Sequence, residues 1–125
     1  MNSYVTNWQR KRGCGLGLDN TAKADQGKPI LSLVPTAIIY SIEKVRQFGV
    51  KKYHDPDNWR KVSTQKYWDA VLRHTLAAWW NFRAKDQESG LMHIEHIACN
   101  LAFILELIKE GEENERSGKA EGEIS

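Results

Sequence analysis

The segment His93-Ile-Glu-His96-Ile-Ala-Cys-Asn100 sets two imidazoles and a carboxamide at i, i+3 and i+7. On a helix these positions fall within about 60° of one another, so they share one face. Such a pair can converge on one metal ion or one phosphate, with Asn100 a turn below as a ligand or a support. Packed against a neighbouring helix, the same pair is simply a buried, hydrogen-bonded couple. A second polar row, Tyr67, Ala70, His74, Ala77 and Asn81, would suit that face across a close helix pair, the alanines permitting near approach.

Beside this row, Asp69 and Arg73 stand at i, i+4. On an open surface they form an ion pair worth roughly a few tenths of a kcal/mol. In a cleft they offer a carboxylate to a metal and a guanidinium to a phosphate. Asp86 and Glu88 are two further carboxylates within reach of His93. Lys51, Lys52 and Tyr53, followed by Asn58 and Trp59, place two ammonium groups by an aromatic pair. That set can hold phosphates and stack a base, or it can be solvated lysines beside core aromatics. His54-Asp55 is an HD dipeptide, but no histidine precedes it to complete a phosphohydrolase site. No Walker loop or Ser/His/Asp set is legible, and the glycines at 13, 15 and 17 lack the preceding strand of a dinucleotide site.

Three helices must position these groups. Pro35 suits a first helical position, and Ile38, Ile42 and Val45 mark the buried side of a helix expected to end at Phe48-Gly49. A loop over 50–62 contains Pro56 and the turn formers Asp55, Asp57 and Asn58. Ser63 or Thr64 caps a second helix to about Arg83, with Val71, Thr75, Ala78, Trp79 and Phe82 on its apolar face. Ser89-Gly90 breaks the chain. The third helix, from about Leu91 to Glu110, buries Ile94, Ile97, Ala98, Leu101, Leu105 and Ile108, leaves Glu95 in a charged sector, and stops at Gly111. Ile30–Val34 is ambiguous between strand and turn.

The chain of 125 residues is one domain, and its 41% hydrophobic and 27% charged composition excludes wholesale disorder. No apolar run approaches the roughly 20 residues of a membrane span, and the polar, basic N-terminus does not suit a signal peptide. A soluble cytoplasmic protein is expected, with Cys14 and Cys99 as reduced thiols. Residues 1–109 carry 16 basic and 10 acidic side chains, whereas six glutamates crowd residues 110–125. A basic body suits an anionic ligand. The expected fold is all-α: a small bundle of three main helices over 25–110, with an irregular arm (1–24) and a disordered acidic tail (111–125). Apolar residues on more than one side of the second and third helices imply completion by homo-oligomerisation.

Several segments together resemble a known family: Asp25-Gln-Gly-Lys28-Pro29, Phe48-Gly49-Val-Lys51-Lys52-Tyr53, Asn58-Trp59, Asp69-Ala-Val-Leu-Arg73-His74, and Asp86-Gln-Glu88-Ser89-Gly90-Leu-Met-His93-Ile-Glu-His96-Ile-Ala-Cys-Asn100. Their order and spacing are similar to the phage and prophage dATP/dGTP diphosphohydrolase N-terminal domain, over about residues 25–107. That family is grouped with the MazG-like all-α nucleotide pyrophosphohydrolases, although the MazG pattern of ExxE and ExxD does not occur within the second and third helices here.

The resemblance implies metal-dependent hydrolysis of a purine nucleoside triphosphate to monophosphate and pyrophosphate, in the host cytoplasm if phage-encoded. It implies Asp69, Glu88, His93 and His96 as catalytic and metal-binding residues. Lys28, Lys51, Lys52 and Arg73 fall to the phosphates, Tyr53 and Trp59 to the base, and Asn58, His74 and Asn100 complete the substrate site. The expected cofactor is Mg²⁺ or Mn²⁺, with Zn²⁺ also suited to imidazole. Two other readings use the same residues: a non-catalytic nucleotide-sequestering module, and a nucleic-acid-binding accessory protein using Arg10-Lys11-Arg12. Nucleic acid is the less expected partner, and no membrane is expected.

Overall fold

The computed structural model describes residues 18–19 and 21–124, so the basic triplet 10–12 and its neighbouring glycines lie outside the described residues. The chain forms two compact units, residues 1–35 and 36–125. In the first, the described backbone is built from turns. The Lys28 N–H donates to Asp25 O at 3.1 Å across Gly27, whose φ of +80° suits a residue without Cβ. Lys28 is exposed there, and Leu31–Leu33 is a short 3₁₀ turn rather than a strand.

The second unit is an all-α bundle of three helices: α1 (Thr36–Tyr53), α2 (Thr64–Ala78) and α3 (His93–Ile124). Pro35 immediately precedes α1. The helix passes through Gly49 and ends at His54, whose φ of +58° is a left-handed cap and whose N–H reaches Val50 O at 2.8 Å. Lys51 and Lys52 in its last turn complement the helix dipole, and Pro56 forbids a restart. A 3₁₀ turn, Asn58–Lys61, leads to α2.

Helix α2 stops at Ala78, five residues before the expected end. Asn81 breaks it, because its side-chain oxygen accepts the Arg83 N–H at 3.0 Å while successive i→i+3 bonds link Trp79 to Leu76 and Asn81 to Ala78. Residues 84–93 then fold back on themselves. Lys85 and Met92 form an antiparallel bridge, the Asp86 N–H donates to Leu91 O at 2.8 Å, and Gly90 turns the chain at φ +73°.

Helix α3 begins at His93, where the Glu95 carboxylate reaches back to the Met92 N–H at 3.3 Å, half of a capping box. The backbone stays helical through Gly111 to Ile124, where the sequence implies a stop and a disordered tail. A helical glycine costs only about 1 kcal/mol, which the strong helix formers Glu, Lys, Arg and Ala around it offset.

The largest correction concerns which side of α3 faces inward. Glu95 and His96 are 5% and 8% exposed and Cys99 is fully buried, while Ile94, Leu101, Leu105 and Ile108 face outward. Glu95 is no surface charge. Burial works against its ionisation, but Lys44 at 2.8 Å, Ser41 and the Met92 N–H together hold its pKa below the usual carboxylate range. On the inner face, Phe103 stacks on Trp59 at 4.8 Å and packs on Tyr67 at 4.9 Å. Val45, Tyr67, Val71 and Ala78 complete the core, whereas Ile38, Trp79 and Phe82, expected inside, are exposed.

Candidate active site

A cleft of about 330 Å³ opens between the three helices and the 84–93 loop, bordered by α1 at Val45–Tyr53, α2 at Lys66–His74 and the inner face of α3. Its polar end is a cluster of three imidazoles. His74 Nδ1 and His93 Nδ1 are 2.7 Å apart, and His74 lies 4.7 Å from His96 with the rings nearly parallel at 8°. Phe48 meets His96 edge-on at 6.3 Å.

The folded-back loop supplies the cluster's oxygen groups. Ser89 Oγ is 2.6 Å from His96 Nε2 and also accepts the Leu91 N–H at 3.1 Å. The Ser89 hydroxyl thus ties the His96 ring to the turn that also holds Leu91. Asp86 Oδ2 accepts the Ser89 N–H at 3.0 Å and lies 4.0 Å from His96 Nε2. Asp86 and the facing nitrogens of His74 and His93 offer ligand atoms within 4.8 Å of one another.

Burial and the other two imidazoles push the His74 pKa down to about 4, and burial lowers His96 against the opposing pull of Asp86. Burial resists charge on Asp86 too, but the Ser89 hydrogen bonds and the imidazoles hold its pKa low. At neutral pH His74 and His96 are thus neutral nitrogen bases beside the ionised Asp86. The linkage has a definite sign. Between His74's unfolded value near 6.5 and its folded value of about 4, the unfolded chain binds more protons, so stability falls as pH falls through that window. The metal-free protein is expected to melt at lower temperature at pH 5 than at pH 7, and His74→Gln should shrink that difference. A pH-independent melting temperature over this range would contradict the assignment.

Of the residues expected from sequence, the structure brings Lys52, Tyr53, Asn58, Trp59, Arg73, His74, Glu88, His96 and Asn100 to the cleft walls. His93 joins through its contact with His74. Lys51 is exposed and is not among the lining residues. Asp69 also lies off the cleft, exposed, with its carboxylate accepting from Gln65 at 3.0 Å. Glu88 is held by Lys52 at 2.5 Å, which ties the 84–93 loop to the end of α1. Asn100 donates to His96 O at 2.8 Å within its own helix.

Trp59 is already covered, since Phe103 stacks on it and the Arg60 guanidinium lies 4.4 Å from its centroid. Tyr53, more than half exposed at the cleft edge, keeps ring surface open to a base. Sequence reasoning did not single out Arg46, which lies 5.4 Å from the Phe103 centroid and donates to Pro56 O at 2.6 Å, fixing the loop under the cleft. Its signal was present: Arg46 follows the buried Val45 on α1.

Residues 19–117 match the family model described as dATP/dGTP diphosphohydrolase, N-terminal. A dATP/dGTP diphosphohydrolase of Salmonella phage PMBT28 is 36% identical over 86 residues, which are 69% of this chain and 29% of that relative. The chain thus corresponds to less than a third of the length of the curated relative. No solved structure matches it significantly. The family match covers α1, α2, α3 as far as residue 117 and every cleft-lining residue named above, and the chain belongs to the dATP/dGTP diphosphohydrolase N-terminal domain family.

Proposed function

We propose that this chain hydrolyses a purine deoxynucleoside triphosphate to monophosphate and pyrophosphate with the help of a divalent metal. The observation that carries the reading is the convergence, in one cleft, of a three-imidazole cluster, an ionised Asp86, and the cations Lys52, Lys66 and Arg73. The name of the phage relative supports the substrate class. Lys52 and Arg73 hold phosphate oxygens, and the Tyr53 ring stacks on the base. A bound divalent ion supplies charge neutralisation and a more acidic water. His96 Nε2 takes the proton of the attacking water through the Ser89 hydroxyl. As the water oxygen bonds to phosphorus, the bridging P–O bond breaks and pyrophosphate leaves with that electron pair.

Replacing Arg73 by Ala is expected to weaken dATP and dGTP binding at least tenfold, about 1.4 kcal/mol, in calorimetric titration. Unchanged affinity in a folded variant would remove Arg73 from the site. Tight nucleotide binding by the wild type without turnover in Mg²⁺ or Mn²⁺ would favour the sequestering module instead.

The exposed row Ile94, Leu101, Leu105 and Ile108 supports association in this reading. Its spacing of 7, 4 and 3 is that of a helix–helix seam, and a second copy of α3 laid along it would cover a face the protomer leaves in water. Light scattering should give a dimer or larger species at micromolar concentration, and Leu101→Asp with Leu105→Asp should reduce it to the 14.4 kDa protomer. A wild-type monomer at that concentration would exclude the seam.

A further inference from the structure

The chemistry of the donors near the cluster narrows which ion the cleft accepts. Mg²⁺ favours an all-oxygen octahedron, usually anchored by one or two carboxylates. Among the described residues, the carboxylates lining the cleft are Asp55, Asp86 and Glu88. Asp55 accepts the Asp57 N–H at 2.9 Å and pairs with Lys61 at 3.3 Å, and Glu88 pairs with Lys52 at 2.5 Å. Of the three, Asp86 is the carboxylate that groups with the imidazoles, its oxygen and the His74 and His93 nitrogens lying within 4.8 Å of one another.

We infer that the cleft binds a nitrogen-accepting divalent ion of the Mn²⁺, Co²⁺ or Zn²⁺ class on His74 Nδ1, His93 Nδ1 and the Asp86 carboxylate, in preference to Mg²⁺. Two imidazole nitrogens 2.7 Å apart must share a proton, and a metal ion takes that proton's place. Bonds of about 2.0–2.1 Å at a tetrahedral angle separate two ligand nitrogens by roughly 3.3 Å, so the rings need to part by only about 0.6 Å. The site is held from outside as well. His74 is stacked on His96, which Ser89 fixes, and Ser89's N–H orients Asp86. Three protein ligands leave a coordination position for water or a phosphate oxygen, as an open catalytic site requires.

This inference deepens the hydrolase reading, and its test reads metal binding without turnover, so either can fail while the other stands. The metal-free full chain is titrated with Co²⁺ and followed by visible absorption. One equivalent should bind with the d–d bands of a four- or five-coordinate ion containing nitrogen, and Zn²⁺ should displace it while a hundredfold excess of Mg²⁺ does not. Asp86→Asn, which keeps the side chain's shape, and His93→Gln should each weaken Co²⁺ binding at least a hundredfold, with helix content checked by circular dichroism. Displacement by equimolar Mg²⁺, or unchanged Co²⁺ binding in both folded variants, would overturn the inference. So would loss of binding in Asp69→Asn with Asp86→Asn intact, because the ion would then sit on the ligands suggested by sequence.

Discussion

His96→Ala is expected to lower pyrophosphate release at least a hundredfold while helix content is retained. His96 is buried, lies 2.6 Å from the Ser89 hydroxyl through Nε2, and is stacked on His74 at the polar end of the cleft. Burial keeps it neutral, as a proton acceptor must be before the reaction, and loss of a positioned base typically costs two to four orders of magnitude in rate. The ring also has a packing role against Phe48, so alanine will lower the melting temperature through the void it leaves. His96→Gln separates the two effects, since it refills much of the space and can hydrogen-bond Ser89 but cannot take a proton near neutral pH. Both variants should therefore be inactive, with glutamine the more stable. Turnover preserved in either folded variant would show that His96 is structural only.

Phe103→Ala is expected to cost roughly 3 kcal/mol of stability, the lower end of the range for truncating an aromatic core residue because the ring keeps some solvent contact. Phe103 joins elements far apart in sequence: it stacks on Trp59 from the connecting loop, touches Tyr67 of α2 and lies under the Arg46 guanidinium of α1. Tyr67 depends on the same packing. Its hydroxyl donates to Trp59 O at 2.6 Å, and burial, the largest cause, pushes its pKa up to about 12. In urea unfolding the midpoint should fall with little change in slope, and Phe103→Leu should recover a large part of the loss. A midpoint unchanged by the alanine substitution would mean that this aromatic group does not hold the loop to the bundle.

The existence and order of the three helices are legible from Pro35, Gly90 and apolar spacing, because these are local signals. Helix ends were less legible. Gly49 reads as a stop, yet the left-handed residue is His54, and Asn81 ends α2 through a side-chain turn that a period count passes over. The facing of α3 was legible only in part, since its imidazole face meets His74 of α2 as the spacing implies. Its most regular apolar row is turned outward, while Glu95, His96 and Cys99 face in, because Lys44 and Ser89 satisfy the two polar groups. A helical wheel records that a helix has two distinct sides and carries no information on what packs against each.

For the cleft, spacing alone put His93, His96 and Asn100 on one face and set His74 on a complementary row. Asp86 was visible as a nearby carboxylate, but its position follows from the fold-back of residues 84–93, which depends on Gly90 and on the Asp86–Ser89 turn. Asp69 shows the limit of the same reasoning. It shares a motif with Arg73 and His74, yet it is one position before Ala70 on the helix, and that single step turns it out of the cleft.

The most direct test of the whole account is ³¹P nuclear magnetic resonance of dGTP or dATP incubated with the full chain and Mn²⁺ at substoichiometric paramagnetic load, then quenched with chelator. The account predicts loss of all three triphosphate resonances with equal growth of deoxynucleoside monophosphate and pyrophosphate. Formation of diphosphate and orthophosphate, or an unchanged triphosphate spectrum from protein shown to bind nucleotide and metal, would contradict it.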